Sequence, residues 1–228
     1  MRAIILAAGR GERMRPLTDS VPKPLLRVGK TTLLERHLDR LARAGVTDVM
    51  INVSWLAQTI ITAIGSGDRY GVKVAYSHEP PGALETLGAV RQVLPWLGEE
   101  PFWLVNGDVF SDFDFAAQRP DADYSLLANI VLVPNPPHKP MGDFACVEGL
   151  ATRPTDSERD YTYAGIGWYR PDLFAAVATG RAPLGPLLFN TAAAGQLGAT
   201  VHNGRWDDVG TPQRLDTLRR WLDTSTPP

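Results

Sequence analysis

Residues 3–17, Ala3-Ile4-Ile5-Leu6-Ala7-Ala8-Gly9-Arg10-Gly11-Glu12-Arg13-Met14-Arg15-Pro16-Leu17, constrain the fold more than any other stretch of the 228-residue chain. Small and apolar residues from Ala3 to Ala8 stop at a glycine, the pattern of a buried strand entering a turn. Gly9 and Gly11 lack Cβ atoms, so the backbone can adopt unusual angles and a ligand can come close. Arg10, Arg13 and Arg15 follow at once, and Lys23 stands between Pro22 and Pro24. Backbone N–H groups on a glycine turn, with cations beside them, make a site for phosphate oxygens. A glycine turn after a strand also occurs with no ligand; the arginines and the proline-flanked lysine favour the phosphate.

Two familiar phosphate motifs do not fit. Gly9-Arg10-Gly11-Glu12-Arg13-Met14 has the first two glycines of the dinucleotide fingerprint but Met14 in place of the third. Gly29-Lys30-Thr31 resembles the end of a P-loop, yet the glycine needed five residues earlier is Pro24, which has no N–H to donate. Thr31 or Thr32 reads instead as the N-cap of a helix.

Charge supports a small polyanion rather than a nucleic acid. The net charge is -2, so no global field attracts a polynucleotide. Residues 1–30, however, hold seven basic side chains against Glu12 and Asp19, which is +5 there and -7 over the remainder. A nucleic-acid module would need a basic face with interleaved aromatics, and the six Trp and six Tyr are dispersed. The single cysteine, Cys146, allows no internal disulfide and reads as a small core residue. The N-terminal apolar run is too short for a signal peptide, and no stretch reaches the roughly 20 apolar residues of a membrane span. The expected protein is soluble and cytoplasmic. His37, His78, His138 and His202 lack the close pairing of a zinc site.

The patterning predicts helices over residues 31–44, 55–64 and 87–97, and strands over 46–53, 72–76 and 102–105. Alternating strands and helices indicate an α/β protein with a Rossmann-like, doubly wound sheet. The second half reads differently, with strands over 125–133, 144–147 and 161–169 and loops over 135–140 and 152–160, so the sheet is expected to be mixed. Helices return over 171–178, 186–194 and 211–222, the last opened by Thr211-Pro212. No linker divides the chain. The reading is a single domain over 1–228, with a nucleotide-binding half over about 1–110 and a sugar-binding half over about 111–228.

Asn106-Gly107-Asp108 places Asp108 at the carboxyl end of an apolar strand, where doubly wound sheets bind ligands. About a hundred residues later comes Trp206-Asp207-Asp208-Val209-Gly210-Thr211. Mg²⁺ takes one or two carboxylates together with phosphate oxygens, so Asp108 and one of Asp207 and Asp208 form a candidate metal pair. As isolated features they would be a turn acid and a helix-start acid.

Taken together, Leu6-Ala-Ala-Gly-x-Gly-x-Arg13-x-x-Pro16-Leu17-Thr18, Pro22-Lys23-Pro24-Leu25, Gly107-Asp108 and Trp206-x-Asp208-Val209-Gly210-Thr211 resemble the signature of the sugar-phosphate nucleotidyltransferases. The resemblance implies a nucleoside triphosphate wrapped by the glycine loop, with contacts from Leu6, Ala7, Ala8, Gly9, Gly11, Arg13, Lys23, Glu79, Ala83 and Asn106. It implies Mg²⁺ on Asp108 and Asp208, with Arg13, Lys23, Asp108 and Asp208 as the catalytic set. It also implies that a sugar 1-phosphate oxygen attacks the α-phosphorus, and that pyrophosphate leaves.

Glu79-Pro80-Pro81-Gly82-Ala83-Leu84-Glu85-Thr86-Leu87-Gly88, Gly142-Asp143-Phe144 and the compact length resemble the short bacterial uridylyltransferases that act on N-acetylmuramic acid 1-phosphate. That implies UTP as nucleotide, sugar contacts from Asp143 and Gly165, and a role in cell-wall recycling. Leu87 and Ala89 replace glycines of the base loop, and the Glu-Lys-Pro motif of many other members is absent. Other sugar-1-phosphate nucleotidyltransferases and choline-phosphate cytidylyltransferases share the scaffold, and the same fold can survive as a nucleotide-sugar-binding regulatory subunit. The subgroup lacks the C-terminal β-helix of some relatives, which implies a monomer or a small homo-oligomer.

Overall fold

A computed structural model describes residues 1–80, 82, 84–118, 125–152 and 159–224. In chain order its elements are β1 (Arg2–Leu6), β2 (Arg27–Val28), β3 (Thr31–Thr32), α1 (Leu33–Arg43), β4 (Asp48–Val53), α2 (Ala57–Ile64), β5 (Lys73–His78), α3 (Glu85–Leu97), β6 (Phe102–Asn106) and β7 (Val109–Ser111). Then follow β8 (Ala128–Pro134), β9 (Ala145–Val147), β10 (Leu150–Thr152), β11 (Tyr161–Tyr169), α4 (Asp172–Ala175), α5 (Gly185–Ala193), β12 (Leu197–Val201), β13 (Trp206–Asp208) and α6 (Pro212–Thr224). This is a mixed α/β fold, as the alternation of patterns predicts. Among the described residues no helix is long and apolar enough to cross a membrane.

The residues fall into two compact units. The first gathers three separated segments, Met1–Ala83, Val105–Ala117 and Arg205–Pro228. Its strands run β5-β4-β1, all parallel, with Ile4 beside Met50 and Met50 beside Ala75. Helix α1 begins with a reciprocal cap: the Glu35 N–H donates to Thr32 Oγ1 at 3.2 Å, and the Thr32 N–H donates to Glu35 Oε2 at 2.8 Å. Such a cap stabilises a helix by about 1 kcal/mol. Leu33, Leu34, Leu38 and Leu41 form the buried face of α1, and Gly45, at φ +82°, ends it.

A separate ladder pairs β7 with β13 antiparallel, setting Val109 opposite Asp208 and Ser111 opposite Trp206. Behind this ladder an apolar cluster joins Met14, Leu26, Val28, Leu33, Phe110, Val209, Leu215 and Leu218, each no more than 5% exposed, with Trp221 and Leu222 packed against it. Burying each large apolar side chain contributes on the order of 1.5–3 kcal/mol, so this cluster ties the three segments of the unit together.

The second unit holds Leu84–Leu104 and Gln118–Gly204, with strand order β6-β11-β8-β12-β10-β9. Strand β11 runs antiparallel to β8 while β12 runs parallel to it, so the sheet is mixed. A bulge interrupts β11 between Tyr163 and Gly167, and Gly165 within it has φ +74°. Glu148 and Gly149, both at positive φ, turn the β9–β10 hairpin, as a two-residue connection requires.

Several short elements differ from the sequence expectations. Strand β10 lies at the edge of a stretch read as loop, and β7 and β13 have only three residues each, too few to show a period. Strand β12 is hidden by Gly198, where a Cβ would stand 2.5 Å from Asn129 Oδ1. The helix expected over 171–178 is a single turn, α4. Leu87 and Ala89, which stand where the base loop of the family has glycines, lie buried in the first turns of α3, within the helix expected over 87–97.

Candidate functional site

The glycine loop that leaves β1 is held from within. Gly11 sits at φ +68°, and a Cβ there would lie 3.0 Å from Thr18 Cγ2 and 3.3 Å from Lys23 Cβ. Thr18 Oγ1 donates to the Gly11 carbonyl at 2.8 Å. Arg10 donates to the Thr18 carbonyl and to Asp19, both at 2.8 Å, and its guanidinium lies 3.7 Å above the Trp55 ring. Trp55 Nε1 donates to the same carbonyl at 3.0 Å, and Arg15 reaches Asp19 at 2.9 Å. The two guanidiniums hold the Asp19 carboxyl below its usual range, the Arg10 hydrogen bond contributing most.

Charge alone does not distinguish the three arginines, and the family resemblance singles out Arg13; the structure gives the other two a different task. Arg10 and Arg15 brace the loop through Asp19. The exposed Arg13 side chain makes no hydrogen bond or ion pair with a described residue.

The start of the loop hangs on a buried relay. The Ala7 N–H donates to Asn52 Oδ1 at 2.5 Å, and Asn52 Nδ2 donates to Glu79 Oε1 at 2.6 Å. Asn52 is 3% exposed and Glu79 8%. Leu6, Ala7 and Ala8 are thereby fixed to the ends of β4 and β5. Asn52 escaped the sequence reading; its only signal is an amide in the apolar run Val49-Met50-Ile51-Asn52-Val53. Ala83 lies outside the described residues.

The acids arrive from distant segments. The Gly107 N–H donates to the Leu6 carbonyl at 2.9 Å, and a Cβ at Gly107 would approach that oxygen to 2.6 Å. Only glycine lets the chain pass so close to β1, and the passage sets Asn106 and Asp108 beside the loop. The Val209 N–H then donates to the Asp108 carbonyl at 3.0 Å, and Asp208 pairs with Val109, so Asp108, one residue before β7, lies next to Asp208 at the end of the β7–β13 ladder. Lys23, itself almost buried, meets Asp108 Oδ2 at 2.6 Å, and Arg214 pairs with Asp208. Asp207 is engaged elsewhere, gripped by both arms of Arg205 at 2.6 and 3.0 Å. Burial pushes the Asp207 carboxyl up despite that guanidinium, with Asp208 adding to the rise.

His37, 4% exposed on α1, sits beneath this ladder and hydrogen-bonds the Val109 backbone. Burial pulls its pKa down to about 4. Because the folded-state value lies below the unfolded one, the unfolded chain takes up the proton first as pH falls below about 6.5. Stability is therefore lost between there and pH 4, by about 2 kcal/mol at pH 5. Denaturant midpoints at pH 7 and pH 5 should fall further apart for the wild type than for His37→Gln. An equal fall in both proteins would remove His37 as the source.

In the second unit, Asp143 Oδ2 accepts from the Tyr163 N–H at 2.9 Å and from Lys139 Nζ at 2.5 Å. The Asp143 N–H donates to the Tyr161 carbonyl at 2.6 Å, so the acid is tied to the strand that carries the Gly165 bulge. Among the described residues no group of three or more His, Cys, Asp or Glu gathers as a metal site. The two hard-oxygen donors Asp108 and Asp208 suit an ion that draws its other ligands from phosphate and water, as Mg²⁺ does.

Comparison with known proteins places these features in context. A family model described as nucleotidyl transferase matches residues 2–222. The N-acetylmuramate alpha-1-phosphate uridylyltransferase of Neisseria meningitidis is 47% identical over 94% of this chain and 95% of its own length. The enzyme of the same name from Caulobacter vibrioides is 30% identical over 92% of each. A glucose-1-phosphate thymidylyltransferase of Streptomyces griseus is 32% identical over the whole chain and 68% of its own. Among solved structures, a Bacillus anthracis protein in complex with sucrose superposes with a TM-score of 0.85 at 20% identity, covering 100% of this chain and 98% of its own. HddC from Yersinia pseudotuberculosis, complexed with GMP-PN, gives 0.78 at 19%, covering 97% of this chain and 99% of its own; such likeness shows the fold alone.

Proposed function

The chain belongs to the nucleotidyl transferase family, and from that premise we propose that it transfers a uridylyl group from UTP to N-acetylmuramic acid 1-phosphate, releasing pyrophosphate. The observation that carries the reading is that Asp108, just before β7, and Asp208, on its partner strand β13, lie next to each other beside the glycine loop, with Lys23 on the first acid. The 47% relationship across nearly the whole chain supports the choice of base and sugar.

In this reading the loop from Leu6 to Gly11 receives the triphosphate on its backbone N–H groups, and Arg13, which pairs with no acid among the described residues, takes phosphate charge. Glu79, Ala83 and Asn106 belong to the nucleotide side. Asp143, and the kink that Gly165 gives β11, belong to the sugar. Asp108 and Asp208 would hold Mg²⁺, which when bound supplies charge neutralisation at phosphate oxygens. An oxygen of the sugar phosphate forms a bond to the α-phosphorus while the bond to the bridging oxygen of pyrophosphate breaks. No protein nucleophile takes part. The residues orient both reactants and offset developing charge, with Lys23 free to exchange Asp108 for phosphate. We assign the protein to the cytoplasm and to cell-wall recycling, as a monomer or small homo-oligomer.

The test is pyrophosphate release with Mg²⁺ across four nucleoside triphosphates and several sugar 1-phosphates. Release with UTP and N-acetylmuramic acid 1-phosphate is expected. Release only with another pair would overturn the substrate assignment. Silence across the whole set from folded protein would favour a nucleotide-sugar-binding subunit.

A further inference from the structure

Gly210, in the turn between β13 and α6, lies between two guanidiniums. Were it to carry a Cβ, Nη2 of Arg214 and Nη2 of Arg13 would both fall within 3.5 Å of that atom. Arg214 stands in the first turn of α6, where its N–H donates to Thr211 Oγ1 at 3.3 Å. Nη1 of its guanidinium pairs with Asp208, and Nη2 and Cζ border the space a Cβ at Gly210 would fill. It is mostly buried, with 23% of the side chain exposed. Two guanidiniums converging on a residue without a side chain repel each other unless an anion joins them. Asp208 serves Arg214, and Arg13 has no acidic partner among the described residues.

We infer that Arg13 and Arg214 together form the seat of a diphosphate, with Arg214 as the second arm, gripping the pyrophosphate end of the nucleotide and Asp208 at once. The inference rests on the proposed nucleotidyl transfer and names a residue that the sequence signature left unassigned. A planar fork suits this position, since one arm can stay on the carboxylate while the other reaches phosphate oxygen. The arrangement also explains Gly210, because any side chain would occupy the place of the phosphate and displace Arg214.

The test is calorimetric binding, with Mg²⁺ present, of inorganic pyrophosphate, UTP and UMP to wild type, Arg214→Gln and Arg214→Lys. For Arg214→Gln, pyrophosphate and UTP are expected to bind about 10- to 100-fold more weakly, with UMP within about twofold of wild type. Arg214→Lys keeps the charge but loses the fork, and should fall between; it is the fallback should the glutamine variant fail to fold. Unchanged pyrophosphate affinity in either folded variant would overturn the inference. So would an equal loss for UMP, which would mark Arg214 as a structural residue of the turn. Wild-type protein that binds pyrophosphate but not UTP would refute the substrate reading while leaving the two-arginine seat standing.

Discussion

Asp108→Asn is expected to lower the rate of pyrophosphate release at least about a thousandfold while leaving the fold intact. Asparagine has nearly the same size, so the close passage of Gly107 over the Leu6 carbonyl and the hydrogen bond from the Val209 N–H are preserved. What disappears is a negative charge that serves both as the partner of Lys23 and as half of the candidate metal pair. The Asp108 side chain is 40% exposed but that of Lys23 only 11%, so the variant leaves a nearly buried ammonium facing a neutral amide, and stability should fall by about 1–3 kcal/mol. A paired measurement separates the two effects: steady-state turnover, and the urea midpoint. Near-normal turnover would end the assignment of Asp108 as a metal ligand; a collapse of the midpoint would instead make it a residue of the scaffold.

Asn52→Leu should produce the largest loss of stability, about 3–5 kcal/mol. Leucine fills a similar volume but can neither accept from the Ala7 N–H nor donate to Glu79. The change thus strips a backbone donor of its acceptor and a nearly buried carboxylate of one of its donors. Because the relay fixes the first residues of the glycine loop, the folded fraction of the variant should also bind UTP more weakly. The measurement is denaturant unfolding with the slope held in view, since an unchanged slope confirms that the same surface is exposed. A loss below about 1 kcal/mol would show that the relay is replaced by water.

Comparing these two positions shows how far the sequence could be read. Asp108 was legible because its neighbours form a signature, an apolar strand followed by Asn106-Gly107. The same local logic found α1 through Thr32 and Gly45, and β11 over Tyr161–Tyr169 to the residue. Asn52 was illegible because its role is defined by residues 45 positions before it and 27 after, and nothing near it in the chain announces either. Arg214 was illegible for a related reason: next to Asp216 and Arg219 it looks like one more charge on a helix surface. Short strands such as β7 and β13 offer three residues, too few for a period, and owe their existence to each other. The three arginines of the loop differ only through Asp19 and Trp55, whose reach is a matter of geometry rather than spacing.

The three-segment make-up of the first unit has a consequence for synthesis. The cluster that packs behind the β7–β13 ladder takes Met14, Leu26 and Leu33 from the beginning of the chain, and Val209, Leu215 and Leu218 from its last part. On the ribosome the early segment must wait, with its apolar side chains uncovered, until α6 has cleared the exit tunnel. Asp208 and Arg214 emerge in that same late portion. A stalled or prematurely released chain therefore carries the loop and Lys23 but lacks one acid and the Val209, Leu215 and Leu218 side of this cluster, and such fragments should be substrates for chaperones and proteases rather than partly active enzymes.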